Sequence, residues 1–125
     1  MRVLIVDHYP DVAEMMCELL GVLGHECRFA LCGADALALL RTRSFALDLA
    51  FIDMELPDVS GYEIAEAMRI IHGRQPVLVA TSTWHDHERV QLQAAGFDDF
   101  VFKPVDRRAL SKIMGLSARK RTTDS

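Results

Sequence analysis

No apolar stretch in this chain approaches the ~20 residues that a helix needs to cross a bilayer, so a membrane-spanning helix is excluded. Cysteine is scarce. Cys17, Cys27 and Cys32 are odd in number and include no C-x-x-C pair, so three reduced thiols in a cytoplasmic protein are expected. Positive charge is not in excess: 14 Lys and Arg face 18 Asp and Glu, and the net charge of −4 argues against a nucleic-acid binder. No internal repeat or low-complexity segment stands out. Met1-Arg2 runs straight into a strand-like segment with no signal-peptide profile, which again points to the cytoplasm. What is present is an ordinary globular composition. The 125 residues are 50% hydrophobic and 26% charged, enough for one domain with a real core.

Strand-like and helix-like runs alternate along the whole chain, the pattern of an α/β domain with a parallel sheet. The first helix starts near Pro10, and Val12, Met15, Met16, Leu19, Leu20 and Leu23 follow helical spacing on one face. Gly24 suits a left-handed cap. The second strand, Glu26-Cys27-Arg28-Phe29-Ala30, alternates polar and apolar as an edge strand does, whereas the others are nearly continuous apolar runs suited to buried positions. A second helix covers about 34–42, with Leu37 and Leu40 inward. Ser60 and Glu63 have capping-box spacing for a third helix that carries Ile64, Ala65, Met68 and Ile71. A fourth, polar helix begins near Trp84 or His85 and ends before Gly96. Asp106 caps the last helix, Val105 and Leu110 have staple spacing, and Ile113 and Met114 continue its inner face. Residues 1–116 form the domain, and 117–125 are a polar tail or linker remnant. Right-handed crossovers then favour a doubly wound, flavodoxin-like sheet of five parallel strands in the order 2-1-3-4-5, with five helices.

Four of the strand-like runs end in residues suited to phosphate chemistry: Asp7-His8, Asp53, Thr81-Ser82 and Lys103-Pro104. Strand C-termini of an open parallel sheet converge on one edge, where ligands bind. Two carboxylates there need a positive partner, and Mg²⁺, with its preference for oxygen, is the natural one. Lys103 adds a mobile point charge and Thr81 a hydroxyl donor. A carboxylate in such company can attack a phosphoryl group in line, and Asp53, ending the central strand, is the best nucleophile. Each residue alone has an ordinary structural explanation; the specificity lies in their order on four elements. Other candidates have plainer readings. His85, Asp86 and His87 point apart on a helix and form a solvated face. Trp84 follows the Thr81 loop, where it either shapes a partner surface or is partly buried. Arg41, Arg43 and Arg119-Lys120-Arg121 are solvated or linker charge. Met15, Met16, Met68 and Met114 are core packing.

The chain resembles the receiver domain of bacterial two-component systems over about residues 1–116. The resemblance rests on Val3-Leu4-Ile5-Val6-Asp7, Phe51-Ile52-Asp53-Met54-Glu55-Leu56-Pro57-Asp58-Val59-Ser60-Gly61, Ala80-Thr81-Ser82, Ala95-Gly96-Phe97-Asp98-Asp99-Phe100 and Lys103-Pro104. The overall wording is most similar to receiver modules of hybrid sensor kinases. The resemblance implies that Asp53 accepts a phosphoryl group from a histidine kinase or histidine phosphotransfer protein. It implies that Asp7, Asp53 and the Glu55 backbone carbonyl hold Mg²⁺ or Mn²⁺. It further implies that Lys103 and the Thr81 hydroxyl meet the phosphate, with Phe100 as the aromatic switch. Phosphorylation would bias the face made by the fourth helix, fifth strand and fifth helix, through which a dimer can form. No direct contact with nucleic acid or membrane is expected.

His8 departs from the pattern, because the family has a second acidic residue at that position. An imidazole removes one negative charge and replaces a hard oxygen with nitrogen, so Mg²⁺ affinity should fall and Mn²⁺ or a softer ion should suffer less. A protonated His8 would partly substitute for the metal's charge. Two other functions fit less well. One is a pseudo-receiver that signals by contact alone. The other is a small phosphatase using Asp53 as nucleophile and Glu55 as general acid, although no cap domain or long loop is present to enclose a substrate. A flavodoxin-like cofactor carrier would need a Gly, Ser or Thr phosphate cradle after the first strand, which is missing.

Overall fold

The computed structural model describes residues 1–42, 46–83 and 89–124, with side chains through Gly115. Its elements run β1 Arg2–Val6, α1 Pro10–Val22, β2 Glu26–Ala30, α2 Gly33–Thr42, β3 Leu49–Asp53, α3 Gly61–His72, β4 Val77–Ser82, α4 Arg89–Ala95, β5 Asp99–Phe102 and α5 Arg107–Asp124. The five strands pair in parallel in the order β2-β1-β3-β4-β5, as the crossover rule predicts.

The pleat sorts each strand into two faces. Leu4, Val6, Ala50, Ile52, Leu78 and Ala80 pack with Ile64, Ala65 and Met68 of α3, with Leu40 of α2 and with Leu92 of α4. Val3, Ile5, Leu49, Phe51, Val77 and Val79 pack with Ala13, Met16 and Leu20 of α1 and with Leu110, Ile113 and Met114 of α5. β3 and β4 are buried throughout, as their continuous apolar runs imply, and β2 is exposed at three of its five residues, as its alternation implies. β5 departs from the expectation, because its apolar run forms the other edge strand and none of its four residues is buried.

Helix boundaries follow local chemistry. Pro10 opens α1, and Gly24 follows it at φ 91°, a conformation that costs glycine little. The Ser60 side chain accepts a hydrogen bond from the Tyr62 N–H and caps α3. Asp106 accepts from Ala109 N–H at 2.8 Å, and Val105 and Leu110 are both buried at the start of α5.

Two expectations need correcting. Met15 and Leu23 are exposed, at 43% and 42%, so the inner stripe of α1 is Ala13, Met16 and Leu20. Cys17 and Cys27 are joined by a disulfide, while Cys32 is free and half-buried. Cys17 on α1 and Cys27 on β2 meet where this helix covers this strand, with Cα atoms 5.2 Å apart, a relation that the ten-residue spacing does not reveal. The backbone of α5 is helical from Arg107 through Asp124. The expected helix start near Trp84 or His85 lies outside the described residues, as do Asp86, His87 and Arg43.

Candidate functional site

The two-residue period of a strand builds the site. Val3, Ile5, Leu49, Phe51, Val77 and Val79 share one face of the sheet, and Asp7, Asp53 and Thr81 continue that face at the strand ends. Val101 lies on the same face, and Lys103 follows it two residues on. The register pairs Asp53 with Thr81 across β3 and β4, and Val6 with Ile52 across β1 and β3. A slip of one residue in any pairing would turn its polar end residue to the opposite face.

Asp7 is 2% exposed and Asp53 is 0% exposed. Ionised carboxylates so buried require partners, and each oxygen has one. Asp7 Oδ1 accepts from the Tyr9 backbone N–H at 2.9 Å, and Asp53 Oδ1 from the Glu55 backbone N–H at 2.9 Å. The two Oδ2 atoms share the Lys103 ammonium, with Nζ 3.0 Å from each. Burial works against the charge on Lys103, but the Asp7 and Asp53 carboxylates outweigh it and raise its pKa above the ordinary lysine value. His8 Nδ1 lies 2.7 Å from Asp53 Oδ2, and in this contact the ring N–H donates to the carboxylate. Of the predicted site residues, Lys103 therefore bridges Asp7 and Asp53, and His8 joins them through Asp53.

Thr81 is 3% exposed, and its backbone carbonyl accepts from the Met54 N–H at 2.9 Å. Phe100 is half-buried, packs against the α2–α3–α4 side and meets Phe102 edge-on with ring centres 4.7 Å apart. The peptide bond from Lys103 to Pro104 is cis.

Sequence reasoning missed three contributors. The Tyr9 backbone holds Asp7, while its ring lies 3.9 Å from the His8 ring centre and 5.3 Å from Lys103 Nζ, a cation–π arrangement over the site. The Glu55 side chain reaches β4 and the residue after it: Oε1 accepts from Ser82 Oγ at 2.6 Å, Thr83 N at 2.8 Å and Thr83 Oγ1 at 2.9 Å. Burial pushes the Glu55 pKa up, yet those hydrogen bonds win and hold it below the ordinary carboxylate value. Asp58 accepts from the Gly33 and Ala34 backbone N–H groups and so caps α2 from the loop after β3; these bonds lower its pKa. Tyr9 and Glu55 stand three and two positions after the ends of β1 and β3, and Asp58 five after β3, but nothing local in the sequence identifies the groups they meet.

Asp7, His8 and Asp53 each offer a ligand atom, and these atoms lie within 4.8 Å of one another. Two carboxylate oxygens and one imidazole nitrogen fit a divalent cation, and two carboxylates against one ammonium leave the negative charge that would attract it.

The chain matches the response regulator receiver domain family over residues 3–114, and it belongs to that family. It is 29% identical over 120 residues to the sensor histidine kinase RcsC of Salmonella typhi, covering 96% of this chain and 12% of that protein. It is 32% identical over 124 residues to the response regulator protein PilR of Pseudomonas aeruginosa, covering 99% of this chain and 27% of that one. The chain thus spans a small part of the curated relatives it matches. Among solved structures, a CheY-like receiver domain from Methanospirillum hungatei superposes with a TM-score of 0.89 at 25% identity, covering 99% and 98% of the two chains. A CheY-like receiver domain from Methylobacillus flagellatus gives 0.82 at 31% identity, covering 94% and 98%. The fold is that of two-component receiver domains, and among the described residues no helix is long and apolar enough to cross a membrane.

Proposed function

We propose that this chain is a phospho-accepting module of a two-component phosphorelay, with Asp53 as acceptor. The observation that carries this reading is the setting of Asp53. It is fully buried at the end of the central strand, with one oxygen fixed by the Glu55 N–H and the other shared with Lys103. The partner is a histidine kinase or a histidine phosphotransfer protein. An Asp53 oxygen attacks phosphorus in line, the P–O bond forms as the P–N bond of phosphohistidine breaks, and the imidazole leaves with a proton from solvent. Lys103 and the Thr81 hydroxyl take the charge that develops on the phosphoryl oxygens. Asp7, His8, Asp53 and the Glu55 carbonyl would hold a divalent cation, Mg²⁺ or Mn²⁺, which neutralises charge on the phosphoryl group.

The signal then leaves through Thr81 and Phe100. As Thr81 turns toward the phosphate, Phe100 follows and changes the face of α4, β5 and α5, where Val90 and Phe102 are exposed at 74% and 44%. That face is the docking and dimer surface in this reading. Residues 1–116 form the receiver unit, which works in the cytoplasm without touching nucleic acid or membrane. The Glu55 carboxylate is engaged with Ser82 and Thr83, which disfavours a phosphatase role with Glu55 as general acid.

Incubation with a small phospho-donor and either Mg²⁺ or Mn²⁺, followed by intact mass measurement, tests the reading. One phosphate adduct that vanishes in Asp53→Asn is expected. No adduct with either metal would replace the reading with a contact-only pseudo-receiver.

A further inference from the structure

Resting on the reading of Asp53 as the centre of a cation-dependent site, we propose that this site prefers nitrogen-accepting divalent ions to Mg²⁺, with His8 Nδ1 as the ligand that sets the preference. The ions meant are Mn²⁺, Co²⁺ and Zn²⁺.

The candidate ligand atoms converge on the space beside Lys103. Asp7 Oδ1 and Asp53 Oδ1 are held by backbone N–H groups, so each carboxylate turns its Oδ2 into the shared space. His8 Nδ1 already lies 2.7 Å from Asp53 Oδ2. The donor set is therefore two oxygens and one nitrogen, all within 4.8 Å. For Nδ1 to bind a cation its proton must sit on Nε2. The His8 side chain is 25% exposed, which lets water satisfy that second nitrogen. Tyr9, its ring tilted against that of His8 with centres 3.9 Å apart, restricts the ring without supplying a competing charge.

Charge points the same way. Lys103 Nζ lies 3.0 Å from both Oδ2 atoms and cancels one of the two carboxylate charges. With His8 neutral, a single net negative charge remains to repay the desolvation of a divalent ion. Mg²⁺ gives up its water reluctantly and favours oxygen, so it loses most from this arrangement. Ions later in the first transition row form stronger bonds to imidazole and regain part of that loss.

Pulsed electron paramagnetic resonance of the Mn²⁺-loaded chain provides a direct test. The spectrum should show a ¹⁴N coupling from a directly bound ring nitrogen, absent in both His8→Asp and His8→Gln. Titrations of Mg²⁺ and Mn²⁺ should show the Mg²⁺-to-Mn²⁺ ratio of Kd falling about tenfold in His8→Asp. Bound Mn²⁺ without ¹⁴N coupling, an unchanged Kd ratio, or no Mn²⁺ binding at all would overturn the proposal. The phosphorylation reading is judged separately by the mass of the Asp53 adduct. A chain that takes phosphate but shows no nitrogen ligand loses only the metal preference. One that binds Mn²⁺ through nitrogen but never takes phosphate loses only the receiver function.

Discussion

Two partly buried ionic clusters occupy opposite corners of this sheet, and they are built on different principles. At the corner between α3 and the start of β4 and β5, the Arg69 guanidinium donates to the carbonyls of Gly73, Pro76 and Gly96 and to Asp98 Oδ2. Asp98 Oδ2 also accepts from the Leu78 backbone N–H. One cation meets one anion, and the remaining donors meet carbonyls. At the C-terminal edge, Asp7 and Asp53 crowd around one ammonium, with a histidine at the side. The first cluster is satisfied and holds α3 to the α4–β5 turn. The second has two carboxylates on one ammonium, an excess of negative charge that a bound cation would offset. A charge imbalance maintained inside a folded domain makes that corner the candidate for chemistry.

The contrast can be broken from either side. The largest effect is expected at the satisfied corner: Arg69→Ala leaves the Pro76 and Gly96 carbonyls and Asp98 without their donor. It should cost about 3 kcal/mol, read as a lower urea midpoint at unchanged slope. If the loss is only a few tenths, the Arg69 network is surface decoration.

A matched pair of isosteric changes sharpens the comparison. Asp98→Asn should destabilise by about 1 kcal/mol, because Arg69 loses a charged acceptor. Asp53→Asn should instead stabilise by about 1 kcal/mol in metal-free buffer, because it relieves two carboxylates sharing one cation. Equal signs for the two variants would remove the distinction between the corners. The size of the Asp53→Asn gain should shrink once a divalent cation is added, since the cation itself relieves the repulsion in the parent chain.

The smallest effect concerns the link from the site to the segment after β4. The Ser82 and Thr83 hydrogen bonds hold the Glu55 pKa below 4.5. Its contribution to stability is therefore present above the unfolded value and is lost as pH falls through the folded one. Glu55→Gln should lower the urea midpoint slightly at neutral pH, and the gap should close between about pH 5 and pH 3. A gap that stays constant over that range would mean that the Glu55 charge contributes nothing to the clasp.

Much of this was readable before any coordinates. The four apolar runs, the polar edge pattern of β2 and the Pro10 and Ser60 helix starts are local signals, and local signals survive folding. The strand order followed from crossover handedness applied to that alternation. The strand-end residues Asp7, Asp53, Thr81 and Lys103 follow from topology as well, because parallel strands end on one edge. Less visible were pairings between elements distant in sequence. Nothing in Arg69 or Asp98 alone announces their contact across 29 residues. The Cys17–Cys27 bond and the Glu55 clasp on Thr83 depend in the same way on which faces meet. Met15 shows the opposite case: helical spacing places it beside the inner stripe, but the stripe that meets the sheet is the narrower Ala13, Met16 and Leu20, and Met15 is exposed.

The sequence by itself therefore determined the element order, the sheet topology and the set of residues brought to one edge, because periodicity, caps and crossover handedness act locally or through connectivity. Only the tertiary structure decided which atoms touch. Strand register and loop geometry turned both Oδ2 atoms to Lys103 and aimed His8 at Asp53. They also drew the Glu55 carboxylate away to Ser82 and Thr83. Hydrogen bonds and ion pairs depend on tenths of an ångström, and that precision is supplied by packing from both faces of the sheet.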